Sequence, residues 1–238
     1  MAGSKKAVVL ILLLAVVLSF SYAEEQASDQ KNLLDSISIN GGFDMLYAKG
    51  QRDEPGQDPI LFSNSAFGAG ASLALTLDLS AIPNFLKEGW LLYLDGGAYY
   101  CTKVCLEDQD YPGEGDDTEY RFLGGKGHLA VLRKVDFGIP IDFCFGAGLS
   151  YDMISIRFRQ EEYVITRCAQ TLGAAVFITA DYRLGKHFAV TAVVNPDLTF
   201  FTTVDRNTGY KGSEQIVRYT SFNFGFSLGA RLGFKYIF

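Results

Sequence analysis

The acidic stretch "DQDYPGEGDDTE" has residue types and a spacing that could bind a divalent cation. Asp108, Asp110, Gly113 and Glu119 match the first, third, sixth and last positions of the calcium-loop pattern, in which carboxylates surround the ion and glycine allows the sharp turn. Pro112 stands where a further ligand is required, and the flanking residues alternate like strands rather than helices. We therefore predict a solvated acidic loop without a metal site, with a calcium loop as the alternative.

Two histidines, His128 and His187, are the other candidates for acid–base chemistry. A general base must lie within hydrogen-bond reach of the proton that it removes. His128 falls in an alternating segment and His187 in a short turn, and no sequence motif places a nucleophile beside either. We predict that both are polar groups of a rim or an interior, and that the chain has no catalytic residue and no cofactor.

Four cysteines, Cys101, Cys105, Cys144 and Cys168, form an even set that allows disulfides. Cys101 and Cys105 are about 13 Å apart along one extended strand, too far for a bond. Cys168 bonded to Cys101 or Cys105 remains open, and so do free thiols.

The elements that must position these residues are strands. From residue 35 to residue 238 the chain is a succession of period-two segments separated by polar, Gly-rich or Pro-containing stretches. The pattern predicts an all-β, up-and-down antiparallel barrel of about eight strands. Pro196 interrupts the seventh segment, so ten strands stay open. The fourth segment changes phase near Gly124 to Gly127, which predicts a β-bulge and leaves the faces of Lys126 and His128 uncertain.

One face of each segment is apolar, whereas the other carries small residues and charges of both signs. The predicted interior charges are Asp44, Asp78, Asp95, Lys103, Asp142, Asp152, Asp181, Arg183, Arg231 and Lys235. Aromatic residues lie near both ends of the apolar faces, as expected where rings meet lipid headgroups. This arrangement favours a transmembrane barrel with its apolar face toward lipid, and a soluble β-barrel is the alternative.

The first 23 residues read as a signal peptide. Lys5 and Lys6 precede an apolar run, and Ser21 and Ala23 are small residues before a cleavage point. We predict a signal peptide over 1–23, a short periplasmic segment over 24–34 and the barrel over 35–238. The net charge of −6 argues against nucleic acid as a partner.

The connections alternate between long polar stretches and short turns, which predicts four surface loops at one rim. The long stretches are "KGQRDEPGQDPILFSNS", "LEDQDYPGEGDDTE", "RFRQEEY" and "VDRNTGYKGSEQIVR".

The C-terminal residues resemble the assembly signal of bacterial outer-membrane β-barrel proteins. Arg231, Gly233, Tyr236 and Phe238 match its pattern of a polar residue, a glycine and two aromatics, the last of them terminal. The strand number extends a looser resemblance toward small barrels of the OmpA, OmpX and OmpW type. The resemblance implies an outer-membrane location, periplasmic termini, extracellular loops, and contact with outer-membrane lipid and the barrel-assembly machinery.

Three functions follow from the fold and the resemblance. The first is contact of the surface loops with host or extracellular molecules, or maintenance of membrane integrity. The second is a narrow channel for small or hydrophobic solutes, as an OmpW-like protein implies. The third is a lipid-modifying enzyme, and it is disfavoured because Ala130 stands where the lipid A deacylases have a serine two residues after their histidine.

Overall fold

The computed structural model describes residues 32–52, 60–83, 86, 88–106, 118–160, 163–210, 213–221 and 224–238. The strands are β1 Leu34–Arg52, β2 Ile60–Asp78, β3 Trp90–Leu106, β4 Thr118–Val135, β5 Ile141–Gln160, β6 Tyr163–Arg183, β7 Phe188–Tyr210, β8 Ser213–Ser221 and β9 Phe224–Ile237. A 3-10 helix, Leu79–Ala81, follows β2. The predicted signal peptide lies outside the described residues.

The strands form one closed antiparallel barrel. Each pairs with its neighbour in sequence up to β7, β1 pairs with β9, and β9 pairs with β7. The strands β8 and β9 share one position in the barrel, because β7 pairs with β9 over Phe188–Thr199 and with β8 over Thr202–Tyr210. The barrel therefore has eight strand positions in the described part of the chain. The predicted up-and-down barrel of about eight strands is confirmed, and the ten-strand alternative is wrong.

Pro196 explains the irregular seventh segment. It is paired with Leu228 of β9, whereas the ladder between β6 and β7 omits Val176 and Phe177, which lie opposite Pro196 and Asn195. Proline has no amide hydrogen to donate to a ladder. The pairs on either side of the gap keep the same register, so the proline interrupts two ladder positions without ending the strand.

The alternation of the strands turns their apolar face outward. Ile39, Leu232 and Phe234 are 64%, 66% and 72% exposed on the outer surface, whereas the neighbouring residues Asn40 and Asp44 are 1% exposed. A soluble barrel has the opposite arrangement, because water would then contact the polar face. The exposed apolar surface is what a transmembrane barrel presents to lipid, and the soluble alternative is thereby excluded.

The strands are longer than a bilayer requires. They reach 20 residues in β5, 21 in β6 and 23 in β7, whereas about 9 to 11 tilted residues span a membrane. The stretch "RFRQEEY" was predicted as a loop, but β5 and β6 stay paired as far as Gln160 and Tyr163. The stretch "VDRNTGYKGSEQIVR" is likewise largely paired strand in β7 and β8. Both predictions were wrong because polar residues on an extended hairpin resemble loop residues in sequence.

The opposite rim has short connections. The turn between β4 and β5 contains Gly138 at φ 71°, a conformation that glycine adopts without strain, and its amide donates to the Asp136 carboxylate at 2.7 Å. Asp78 accepts a hydrogen bond from the Ser80 amide at 2.8 Å and so begins the 3-10 helix.

The predicted β-bulge at Gly124 to Gly127 is absent, because β4 pairs with β3 and β5 through these residues without a register shift. Lys126 and His128 therefore face the interior, at 5% exposure each. The period of two therefore continues through these glycines, and the predicted phase change is wrong.

Gly124 leaves space for the ring of Tyr99 on the adjacent strand. A Cβ atom at residue 124 would lie 2.1 Å from Cζ of Tyr99, so any larger residue would displace the ring. Glycine in this strand therefore makes room for an interior aromatic side chain and leaves no open space.

We expect Gly124→Ala to lower the free energy of unfolding by about 1–3 kcal/mol, because overpacking forces the Tyr99 ring out of its position. Gly125→Ala is the matched control, since its Cβ would meet only the Gly97 carbonyl oxygen, at 3.8 Å. Urea unfolding in detergent measures both variants. Equal stability of the two would contradict the assigned packing of Tyr99.

Candidate functional site

The interior of the barrel is the candidate functional site, and Arg231 of β9 links several of its strands. Its Nη2 atom lies 2.9 Å and 3.2 Å from the two carboxylate oxygens of Asp44 in β1. Its Nη1 atom lies 3.5 Å from Asp95 in β3 and 3.4 Å from Ser72 in β2. One guanidinium thus connects four strands, which suits its fixed, planar set of donors.

Lys126 of β4 provides the second interior cation. Its ammonium contacts the carboxylate of Asp197 in β7, donates to Ser227 of β9 at 2.9 Å and lies 3.9 Å from Asp44. Ser227 also donates to Asp197 at 2.9 Å. Asp197 is 0% exposed, so its charge depends on these partners rather than on water.

His128 lies between two carboxylates from opposite sides of the interior. Nδ1 is 2.5 Å from Asp95 of β3, and Nε2 is 3.4 Å from Asp197 of β7. The side-chain nitrogen of Asn195 lies 3.3 Å from the same Nε2. Since β3 and β7 are not neighbouring strands, the imidazole bridges the barrel interior.

An apolar layer adjoins this charged network. Its buried members are Ala74, Leu91, Tyr93, Ala130, Leu132, Cys144, Ala175, Phe177 and Val193. The fully buried Phe177 ring packs against Tyr93 at 5.3 Å and against the His128 ring at 5.1 Å between centroids. The Tyr93 hydroxyl donates to Asp95 at 3.2 Å and so joins the apolar layer to the network.

Further charges lie toward the short-turn rim. Lys235 contacts Asp181 at 2.5 Å, and both are largely buried. Asp142 lies 2.9 Å from Lys134 and from Arg183 in a group that is partly exposed to solvent.

The predicted interior charges divide into two groups. Asp44, Asp95, Asp152, Asp181, Arg231 and Lys235 point into the barrel. Asp78, Asp142 and Arg183 lie at the rim instead, because they stand at the strand ends, where the alternation no longer faces a closed interior. The side chain of Lys103 lies outside the described part.

The sequence-based prediction omitted three central interior residues, Lys126, His128 and Asp197. The assumed bulge obscured the first two, and the irregular segment around Pro196 obscured the third. An unbroken period-two count through β4 and β7 would have placed all three on the interior face.

The outer surface carries aromatic rings near both rims. Tyr182, Phe188 and Tyr236 are exposed near the short turns, and Tyr47, Tyr100 and Tyr151 are exposed toward the long hairpins. Such belts are typical of the two membrane interfaces.

The C-terminal residues pack at the short-turn rim. Phe238 packs edge-on against Tyr236 at 5.0 Å, and its amide donates to the Asp35 carbonyl at 3.0 Å. Packing explains the glycine at residue 233, because a Cβ atom there would lie 2.2 Å from the Ile39 carbonyl oxygen.

The cysteines and the predicted calcium loop lie partly within the described residues. Cys101 and Cys144 are buried free thiols, so the bond from Cys168 to Cys101 is wrong. The side chain of Cys105 and the carboxylates of the predicted calcium loop lie outside the described residues. Across the described ranges, no group of three or more His, Cys, Asp or Glu residues is arranged to hold a metal ion. No helix in those ranges is long and apolar enough to cross a membrane.

The barrel is similar to solved outer-membrane proteins. A major outer-membrane protein from Thermus thermophilus is 15% identical and has a TM-score of 0.55, over 84% of this chain and 99% of that one. The outer-membrane protein AlkL in lipid bilayers is 16% identical with a TM-score of 0.50, over 89% and 93%. No family model matches the chain, and no curated protein is similar to it in sequence. These likenesses establish the fold of small outer-membrane β-barrels, which the C-terminal residues had suggested.

We expect the pair Asp44–Arg231 to be strongly coupled in a double-mutant cycle. Asp44→Asn or Arg231→Met alone should cost about 3–5 kcal/mol of unfolding free energy, because each leaves a buried charge without its partner. The double variant should be more stable than the sum of the single effects predicts.

The rim pair Asp142–Arg183 is the matched control, because half of the Arg183 side chain is exposed. Its coupling should stay within about 0–1 kcal/mol. Urea unfolding of all variants measures the coupling energies of both double-mutant cycles. Equal coupling energies would contradict the assigned role of the interior pair.

Proposed function

We propose that this chain is a non-conducting outer-membrane barrel whose extended hairpins present a surface for contact with extracellular or host molecules. The observation that carries the proposal is the packed interior, in which Phe177, Asn195 and Asp197 have no solvent exposure. Because side chains fill the middle of the barrel, we do not propose solute passage as the main function.

Two layers of different chemistry contribute to this closure. The network around Arg231, Lys126 and His128 joins strands across the barrel through paired charges. The apolar layer around Phe177 and Leu132 offers water few hydrogen-bond partners, and apolar constrictions stop conduction by excluding water. Interior glycines could have left space for a conduit, but Gly229 accommodates a neighbouring side chain, because a Cβ there would lie 2.5 Å from Asn195 Oδ1.

The length of the hairpins supports a surface role. A strand of about 20 residues tilted by about 45° rises roughly 45 Å, whereas the hydrocarbon core is about 30 Å thick. The paired ends of β5 with β6 and of β7 with β8 therefore extend beyond lipid. A rigid scaffold that carries extended hairpins is a common arrangement for recognition surfaces.

We also propose the orientation and the assembly route. Periplasmic termini fit the short-turn rim, where β1 begins and β9 ends beside each other. Arg231, Gly233, Tyr236 and Phe238 remain the proposed assembly signal for the barrel-assembly machinery, and residues 1–23 remain the proposed signal peptide.

No catalytic role is proposed. His128 contacts only buried partners, and Ala130 stands at the position that the lipid A deacylase pattern requires to be serine.

Planar-bilayer recording tests the closed interior. We expect the wild-type barrel to give no conductance steps near neutral pH, and Leu132→Ala with Phe177→Ala to give them, because the double change removes two large side chains of the apolar layer. Val131→Ala with Val176→Ala is the matched control, since both residues face outward. Steady ohmic conductance of the wild-type protein at neutral or acidic pH would overturn the proposal in favour of a channel.

Epitope insertion tests the orientation. A tag between residues 160 and 163, in the long-hairpin connection, should bind antibody on intact cells. A tag at Gly185, in the short turn after β6, should bind only after the cells are permeabilised. The reverse pattern would show that the hairpins face the periplasm.

A further inference from the structure

The described part of the interior holds more carboxylates than permanent cations around His128. Asp44, Asp95, Asp152 and Asp197 surround Lys126 and Arg231, whereas Lys235 and Asp181 balance each other near the rim. Two carboxylates thus exceed the two permanent cations. An unbalanced buried charge costs several kcal/mol, so a proton held within this cluster is strongly favoured.

The geometry around His128 identifies a place for that proton. Both ring nitrogens face carboxylates, Asp95 at 2.5 Å and Asp197 at 3.4 Å. A neutral imidazole carries one N–H group, so it can donate to only one of the two carboxylates. The imidazolium donates to both when the Asn195 amide turns its otherwise unpartnered oxygen, rather than its nitrogen, toward Nε2. The charged ring then bridges β3 and β7.

Among the residues that the structure describes, the titratable or charged groups around the ring and its partners belong to this cluster. They are Tyr93 and Asp95 of β3, Lys126 of β4, Asp152 of β5, Asp197 of β7, Arg231 of β9 and Asp44 of β1; β6 contributes the uncharged Phe177. Asp152 contributes a buried carboxylate, and one of its side-chain oxygens has no hydrogen-bond partner among the described residues.

We propose that His128 is a proton-dependent lock, meaning that protonation of its ring keeps the barrel interior closed to water and ions. With the ring protonated, the Asp95–His128–Asp197 bridge holds the network closed. At alkaline pH the Nε2 proton leaves to solvent, Asp197 faces a lone pair, and the loosened network admits water and small ions. This inference rests on the non-conducting interior proposed above.

The sign of the pH effect follows from the partners. A group whose charged form is held by two carboxylates contributes stability at low pH and loses it as the pH rises. The lock therefore closes in acid and opens in alkali.

The chain contains two histidines, which supplies an internal control. His187 is exposed in a short turn, where its Nδ1 lies 3.0 Å from the Ile237 carbonyl oxygen. His187→Gln removes an imidazole without touching the interior network, so its conductance should follow the wild-type pH profile.

The experiment records planar-bilayer conductance between about pH 6 and about pH 10. Wild type and His187→Gln should be silent at the acidic end and conduct at the alkaline end. His128→Gln should conduct at both, since glutamine carries no charge. Heat-modifiable migration on gels verifies that each variant is folded before recording.

Nitrogen-15 spectra of the two histidine rings in the wild-type protein give a readout that requires no variant. The His128 signal should be that of an imidazolium near neutral pH and should change to a neutral ring over the same pH range in which conductance begins. A neutral His128 ring near pH 7, or silence at the alkaline end, overturns the lock and leaves the non-conducting barrel intact. Wild-type conductance at the acidic end overturns the proposed function itself.

Discussion

Inside a bilayer a backbone amide has no water to bond, and that constraint determines the rest of this structure. Every strand that crosses the bilayer must be paired on both sides, so the sheet closes through β1 with β9 and β6 with β7. Closure in turn creates an interior, and the period-two pleat sends alternate side chains into it. The chain thus has an apolar outside and a polar inside as a direct consequence of satisfying its backbone.

A closed barrel of eight strands leaves an interior that side chains can fill. Here the filling combines buried ion pairs with an apolar layer, and each depends on the other. The ring of Phe177 excludes water beside His128, which strengthens the electrostatic interactions of the network. The network in turn satisfies polar groups such as Asp197 and the Tyr93 hydroxyl, which would otherwise be costly to bury.

Different interactions occur at the two ends of the barrel. At the short-turn rim water competes for the charges, so Asp142, Lys134 and Arg183 pair at the surface and contribute little stability. On the other side the strands continue past the thickness of a bilayer as paired hairpins. Mid-barrel residues therefore form the buried ion pairs and the apolar layer, whereas the hairpins are the part of the barrel that lies beyond lipid.

The sequence by itself determined the class of fold, because a period of two decides which residues share a face without knowledge of their neighbours. It indicated the barrel, its strand number within narrow limits and the inward placement of Asp44 and Arg231. The predictions from sequence were wrong where the residue types favoured one local structure and strand pairing imposed another. Glycines in β4 suggested a bulge, and polar residues in β5 to β8 suggested loops. Only the tertiary structure decided which charges meet. Asp44 and Arg231 are 187 residues apart in sequence, and the closure of β1 onto β9 brings them together. His128 lies directly opposite Asp95 in the ladder between β3 and β4, and it reaches Asp197 because closure brings β7 to the far side of the interior. Both contacts depend on register and closure, which leave no local pattern in the chain.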